Sequence, residues 1–127
     1  MDLRIVDLRR RVAREGTATS GDIDAIDDIL ETEGPSVELL ILRGQLVQLV
    51  ADADEDFDEA FACYQQALEL DPDSATANEE IAHFLDDVAD DPAEAIPYFR
   101  RAIELGAGES AEEGLREALV QVGRVEP

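Results

Sequence analysis

Two stretches of the sequence, residues 59–70 and 94–105, repeat each other at a constant offset of 35 residues. Matching places hold identical or similar side chains: Tyr64 and Phe99, Ala67 and Ala102, Leu68 and Ile103, Leu70 and Leu105. A small unit that recurs at a period of about 20–50 residues cannot bury its apolar face alone, so neighbouring units must stack. The chain is therefore expected to fold as a stack of similar units.

The units are predicted to be helical, because no run of residues alternates with period two between turn signals. The expected helices are residues 3–15, 22–33, 37–51, 57–70, 75–89, 92–105 and 111–122. Asp56, Asp91 and Ser110 are the expected N-caps of three helices, since each precedes a glutamate by three residues. The fold class is predicted to be all-α.

The spacing of Ala60, Tyr64, Ala67 and Pro72 resembles that of the tetratricopeptide repeat. In this pattern small residues let two helices approach closely, an aromatic side chain fills the space between them, and proline stops the second helix. Further matches lie on the preceding and following helices, at Leu40, Gly44, Val47, Ala82 and Leu85. The resemblance implies a right-handed α-α superhelix, a solenoid of about seven antiparallel helices.

The predicted domain organisation is one domain over residues 1–127. Within it, residues 36–72 and 73–107 are the two repeats. Residues 1–35 are predicted to form a degenerate N-terminal helical pair and residues 108–127 a C-terminal capping helix.

Tetratricopeptide proteins bind peptides or partner helices along the concave face made by the first helix of each repeat. The resemblance thus implies a noncatalytic module for protein–protein interaction. Carried onto this sequence, the partner-binding residues are Glu38, Ile41, Gln45, Gln48, Leu49, Thr76, Glu79, His83, Asp86 and Asp87. The alternative is a structural or assembly role, through self-association or packing against further domains, with Leu115, Leu119 and Val122 as an exposed apolar stripe.

Charge narrows the class of partner. The chain carries 32 acidic and 10 basic residues, a net charge of −22, and every basic residue is arginine. Phosphates would meet a field of their own sign, which argues against nucleic acid as a ligand. A cationic or mixed-charge partner is favoured, because no arginine lies between Gly44 and Phe99. Two other interpretations stay open: the carboxylates only solubilise the surface, or they reflect a halophilic source.

Alternating carboxylates at Asp52, Asp54, Asp56 and Asp58 suggest a calcium loop. The pattern fails, since Phe57 stands where such a loop needs glycine, and Cys63 stands where it needs glutamate. No metal site and no cofactor are therefore predicted.

Neither His83 nor Cys63, the only residues of their types, has a sequence neighbour that would make it catalytic. Cys63 is interpreted as a small packing residue, and a lone cysteine forms no internal disulfide. The chain is predicted not to be an enzyme.

The N-terminal segment, residues 1–14, contains five arginines and two aspartates. Its apolar residues Ile5, Leu8 and Val12 are expected to join a core, with the arginines docked against the acidic remainder. No apolar run reaches the ~20 residues of a membrane span, and no secretory signal pattern is present. A cytoplasmic location without membrane contact is therefore expected.

Overall fold

The computed structural model describes the backbone of residues 3–50 and 54–123, and the side chains of these residues except 54–56. Across these ranges the chain forms seven α-helices and one π-helical turn, with no β-strand. The helices are α1 (Leu3–Glu15), α2 (Ser20–Glu33), α3 (Val37–Val50), α4 (Asp54–Leu70), α5 (Ala75–His83), α6 (Pro92–Glu104) and α7 (Glu109–Gln121), and the π-turn is Phe84–Val88. The all-α fold class is confirmed, whereas the superhelix and the repeat boundaries stay predictions.

The chain divides into two compact units, Met1–Cys63 and Tyr64–Pro127, with the boundary inside α4. The core of the first unit consists of large aliphatic side chains from its first three helices: Leu8, Ile26, Ile29, Leu39, Leu42 and Leu46. Burying one such side chain contributes about 1.5–3 kcal/mol. Helix α1 therefore docks through its apolar face, as predicted, and its Arg11 pairs with Asp22 of α2.

Helix α2 begins with a capping box that the sequence analysis missed. The Thr19 side chain accepts a hydrogen bond from Asp22 N at 3.3 Å, and the Asp22 side chain accepts one from Thr19 N at 2.9 Å. Two backbone donors that a helix start leaves unpaired are thereby satisfied. The helix ends at Gly34, whose φ of 85° disfavours any residue with a Cβ.

Arg43 joins three helices of the first unit. Its Nε lies 2.6 Å from Asp27 Oδ1 of α2, and its Nη2 lies 2.7 Å from Glu59 Oε1 of α4. Its Nη1 donates a hydrogen bond to Cys63 Sγ at 3.3 Å. The guanidinium thus connects α3 to α2 and α4 through charged and polar contacts.

Tyr64 and Phe99, the matching aromatic residues of the repeat, are both fully buried in the second unit, as predicted. The Tyr64 ring meets Phe84 edge-on, with centroids 6.4 Å apart. Asn78 is also buried, and its amide donates to the carbonyl oxygens of Pro72 and Ser74 at 3.3 and 2.9 Å. Its side chain thus satisfies two carbonyl oxygens in the turn that precedes α5 and in its first turn.

A π-turn interrupts the helix predicted over residues 75–89. Ala89 N donates to Phe84 O at 3.0 Å, a span of five residues, and Asp91 N donates to Leu85 O at 2.8 Å. A π-turn takes up one residue more than an α-turn.

Two predicted N-caps are wrong and one is confirmed. Asp91 caps α6 by accepting from Glu94 N at 3.2 Å. Helix α4 already begins at Asp54, so Asp56 lies inside it, and α7 begins at Glu109 after Gly108, so Ser110 lies in its first turn. In both cases the helix extends upstream of the residue that resembles a cap.

Candidate functional site

The predicted partner-binding residues of α3 have different surroundings. Glu38 is exposed and pairs with Arg9, with 3.0 Å between Oε1 and Nη1. Ile41 is buried, with 6% of its surface accessible, so it does not line an open face. The cause is that α3 is apolar on nearly every side, with Leu39, Leu40, Leu42, Leu46 and Val47 also buried.

Helices α1 and α3 enclose a groove of about 470 Å³ in the first unit, called here the α1–α3 groove. It is lined by apolar side chains together with one guanidinium and two amides: Val12, Ala13, Leu42, Leu46, Leu49, Arg9, Gln45 and Gln48. Three predicted site residues, Gln45, Gln48 and Leu49, are thus brought together. Leu49 is 49% exposed although its side chain is large and apolar.

The local sequence explains how this groove is held. Ser36 Oγ accepts from Leu39 N at 3.2 Å, which fixes the start of α3. Leu42 and Leu46 belong to the aliphatic core, so the floor of the groove is continuous with it. Arg9, Val12 and Ala13 were missed as site residues because α1 was interpreted as a core helix. Their spacing of three and four residues, which puts them on one helix face, is the signal that was available.

The predicted residues of α5 lie in the second unit. Thr76 is exposed and Glu79 is half-buried. His83 is half-buried, with its Nε2 3.1 Å from Ser110 Oγ and 3.5 Å from Glu79 Oε2. Its ring meets the Phe99 ring edge-on, with centroids 5.0 Å apart. His83 therefore links α5 to α6 and α7, and its role as a partner contact stays a prediction.

The sequence interpretation requires Asp86 to be accessible to a partner, but its side chain does not face solvent. It lies in the π-turn, which rotates the chain relative to a continuous α-helix, and it is only 6% exposed, whereas Asp87 beside it is exposed. Asp86 Oδ1 is buried without a hydrogen-bond partner. Burial raises the pKa of Asp86, and the charges of Asp87 and Glu117 raise it further.

Cys63 is buried beneath Arg43, in agreement with a packing role. Burial raises the pKa of its thiol, although the hydrogen bond from Arg43 acts in the opposite direction. A thiol of raised pKa is a poor nucleophile near neutral pH.

Among the side chains that the structure describes, no three of histidine, cysteine, aspartate and glutamate are grouped so as to hold a metal ion. The calcium-loop hypothesis concerned Asp52, Asp54 and Asp56, which lie outside the described side chains, and Asp58. In the described part of the chain, no helix has both the length and the apolar character that crossing a bilayer requires.

The apolar stripe of α7 that would favour self-association is partly exposed, and self-association stays a prediction. Leu115, Leu119 and Val122 are half-buried, and the α7 residues Ala111, Gly114 and Ala118 are buried. Among the described residues, the exposed large apolar side chains are Leu3, Leu49 and Leu70.

A family model described as a TPR repeat matches residues 53–85. The matched segment includes Ala60, Tyr64, Ala67 and Pro72, the residues that carried the resemblance. A search among curated proteins found no match to the sequence.

Proposed function

Because residues 53–85 match a TPR-repeat family model, we propose that the chain is a noncatalytic module that binds a segment of a partner protein in the α1–α3 groove. Repeats of this family serve in general as protein–protein interaction modules. The single observation that carries the groove assignment is the exposure of Leu49 beside the aliphatic floor formed by Leu42 and Leu46.

The occupant is a segment with an apolar centre. A side chain that packs against Val12, Leu46 and Leu49 removes apolar surface from water on both partners, at about 25 cal/mol per Å². The volume of about 470 Å³ suits one or two large side chains and not a whole helix face. Affinity would then depend on a few anchoring side chains, as in most protein interfaces.

The flanks of the segment are proposed to be basic. Residues 15–127 carry a net charge of −25, and among the residues that line the groove the charged one is Arg9 of α1. Electrostatic attraction of this kind chiefly raises the rate of association and selects among partners. The opposing proposal, that the carboxylates only solubilise the surface, predicts no dependence of binding on the charge of the flanks.

Photo-crosslinking can identify the segment. A photoreactive residue in place of Leu49 is irradiated in an extract of the source cells at native salt, and the crosslinked peptide is sequenced. Leu70 provides a matched control position, because it is 51% exposed and also large and apolar but does not line the groove. The proposal expects one defined segment from position 49 that is absent from position 70.

Capture alone does not decide the question, so the identified segment is then synthesised and titrated against the purified chain. Saturable binding that is lost when its central apolar residue is replaced by serine supports the groove. Binding that survives this replacement, or a crosslinked peptide common to both positions, contradicts it. A purely structural role would instead give crosslinks to a second copy of this chain.

A further inference from the structure

We propose that the π-turn and α7 form a binding site for the guanidinium group of a partner's arginine, with Asp86 as its anchor and Asp87, Asp90 and Glu117 around it. The inference rests on the proposed function only in that the arginine belongs to a partner protein. It concerns the second unit and is independent of the α1–α3 groove.

The first observation is the state of Asp86. Its Oδ1 is buried and accepts no hydrogen bond, and the residue as a whole is 6% exposed. Removing a carboxylate from water without a partner is costly, so buried carboxylates are as a rule paired. Asp86 Oδ1 therefore needs a partner, which can be a proton, an ordered water or a donor from another molecule.

The second observation is what surrounds Asp86. Asp87, Glu117 and Asp90 are all exposed carboxylates that act electrostatically on Asp86, and none of them can neutralise it. His83 is the nearby group that favours the charged form, but its ring nitrogen already lies close to Ser110 and Glu79. The buried carboxylate of Asp86 is thus accompanied by exposed carboxylates that carry the same charge.

The third observation is the backbone. A π-turn is a rare feature of helices and occurs often at functional sites. Here it places Asp86 inward and Asp87 outward, and Asp90 just after it has a φ of 53°, a left-handed conformation that a non-glycine residue seldom adopts. A regular α-helix would contain neither the π-turn nor the positive φ of Asp90.

A guanidinium suits this arrangement better than other cations. It offers five donors in a planar fork that matches the two oxygens of a carboxylate, and it is more weakly hydrated than an ammonium. A metal ion would need at least three grouped ligands, and no such group occurs among the described side chains.

The test uses three blocked tripeptides, Ac-Gly-Arg-Gly-NH2, its lysine analogue and its citrulline analogue, titrated by NMR into the full chain. Citrulline keeps the shape of arginine but removes its charge. We expect saturable binding of the arginine peptide, with shifts confined to residues 84–90 and around Glu117, weaker binding of lysine and none of citrulline.

Two variants remove one negative charge each. Asp86→Asn should weaken binding of the arginine peptide at least tenfold, whereas Glu112→Gln, on an exposed position of the same α7, should change it less than twofold. If Asp86→Asn does not fold, Glu117→Gln replaces it, with an expected loss of at least threefold. Leu49→Glu should leave arginine binding unchanged, which separates this site from the groove.

Two outcomes would overturn the proposal. One is shifts that do not saturate and that fall equally in Asp86→Asn and Glu112→Gln, since this indicates general attraction to an acidic surface. The other is a carboxyl carbon resonance that shows Asp86 protonated at neutral pH and unmoved by the arginine peptide, because a proton then fills the place of the cation.

Discussion

Gly114 of α7 lies directly against the ring of Phe99 of α6. A Cβ placed on Gly114 would be 2.4 Å from Phe99 Cε1 and 3.2 Å from His83 Cε1, and a real Cβ cannot approach a ring atom so closely. Phe99 is fully buried and therefore has little room to move away. The close approach of α6 and α7 thus depends on the absence of a side chain at residue 114.

Gly114→Ala should consequently destabilise the protein by about 1–3 kcal/mol, the usual cost of overpacking. The direction of the change in stability is informative, because replacing glycine by alanine within a helix normally stabilises a protein by about 1 kcal/mol. Gly21→Ala in α2 is the control, since a Cβ there meets only Thr19 Oγ1 at an ordinary 3.5 Å. Urea unfolding of both variants checks the prediction. An equal or greater stability for Gly114→Ala would mean that α6 and α7 do not pack as described.

Arg43→Met should destabilise by about 1–2 kcal/mol, because methionine keeps much of the aliphatic volume but loses the bonds to Asp27 and Glu59. The expected loss of stability is modest because both carboxylates are about half exposed and are hydrated again when the guanidinium is removed. Arg100→Met, at an exposed position of α6, is the control and should shift stability by under about 0.5 kcal/mol. Matching losses for the two variants would show that Arg43 does not join the helices.

Asp86→Asn should make the protein more stable at neutral pH. The folded pKa of Asp86 lies above its ordinary 3.8, so the native state holds the proton more tightly than the unfolded state does. Stability therefore falls as the pH rises through the window above 3.8, and the ionised group destabilises the fold beyond it. The advantage of the variant should shrink on acidification and vanish below 3.8. A difference in melting temperature that does not change with pH would contradict this.

The melting temperature should rise when salt is added to a dilute buffer. A net charge of −22 repels itself, and the Debye length shortens from ~30 Å at ~0.01 M to ~3 Å at ~1 M salt. Ion pairs such as that of Arg43 weaken at the same time, but acidic residues outnumber basic ones threefold. Thermal melts across this range of salt concentration show which of the two effects is larger. A flat or falling melting temperature would remove the physical support for adaptation to a salty cytoplasm.

The helices and the buried aromatic pair were predictable because both depend on short-range pattern. Apolar spacing and the repeat at 35 residues place Tyr64 and Phe99 at equivalent positions, and both are buried. The predicted end of the second helix at residue 33 agrees with the end of α2, and the positive φ of Gly34 just after it is a local property of the chain. Such features are encoded within a few residues and need no knowledge of the neighbouring helices.

The burial of Asp86 was not predictable in the same way. A helical period of 3.6 residues assigns each side chain to a face only while the helix is regular, and the π-turn shifts that assignment from Phe84 onward. Asp86, which the resemblance assigned to the partner-binding face, is therefore buried. The groove residues of α1 were missed because the packing of α1 on α3 is a long-range property.

The affinity of the crosslinked segment for Leu49→Glu, compared with its affinity for Leu70→Glu, tests the central claim most directly. Both substitutions replace a half-exposed leucine and add one negative charge, but only Leu49 lines the α1–α3 groove. Isothermal titration should show at least tenfold weaker binding for Leu49→Glu, about 1.4 kcal/mol, and a change of less than twofold for Leu70→Glu. Equal affinities for the two variants, both folded by circular dichroism, would contradict partner binding in this groove.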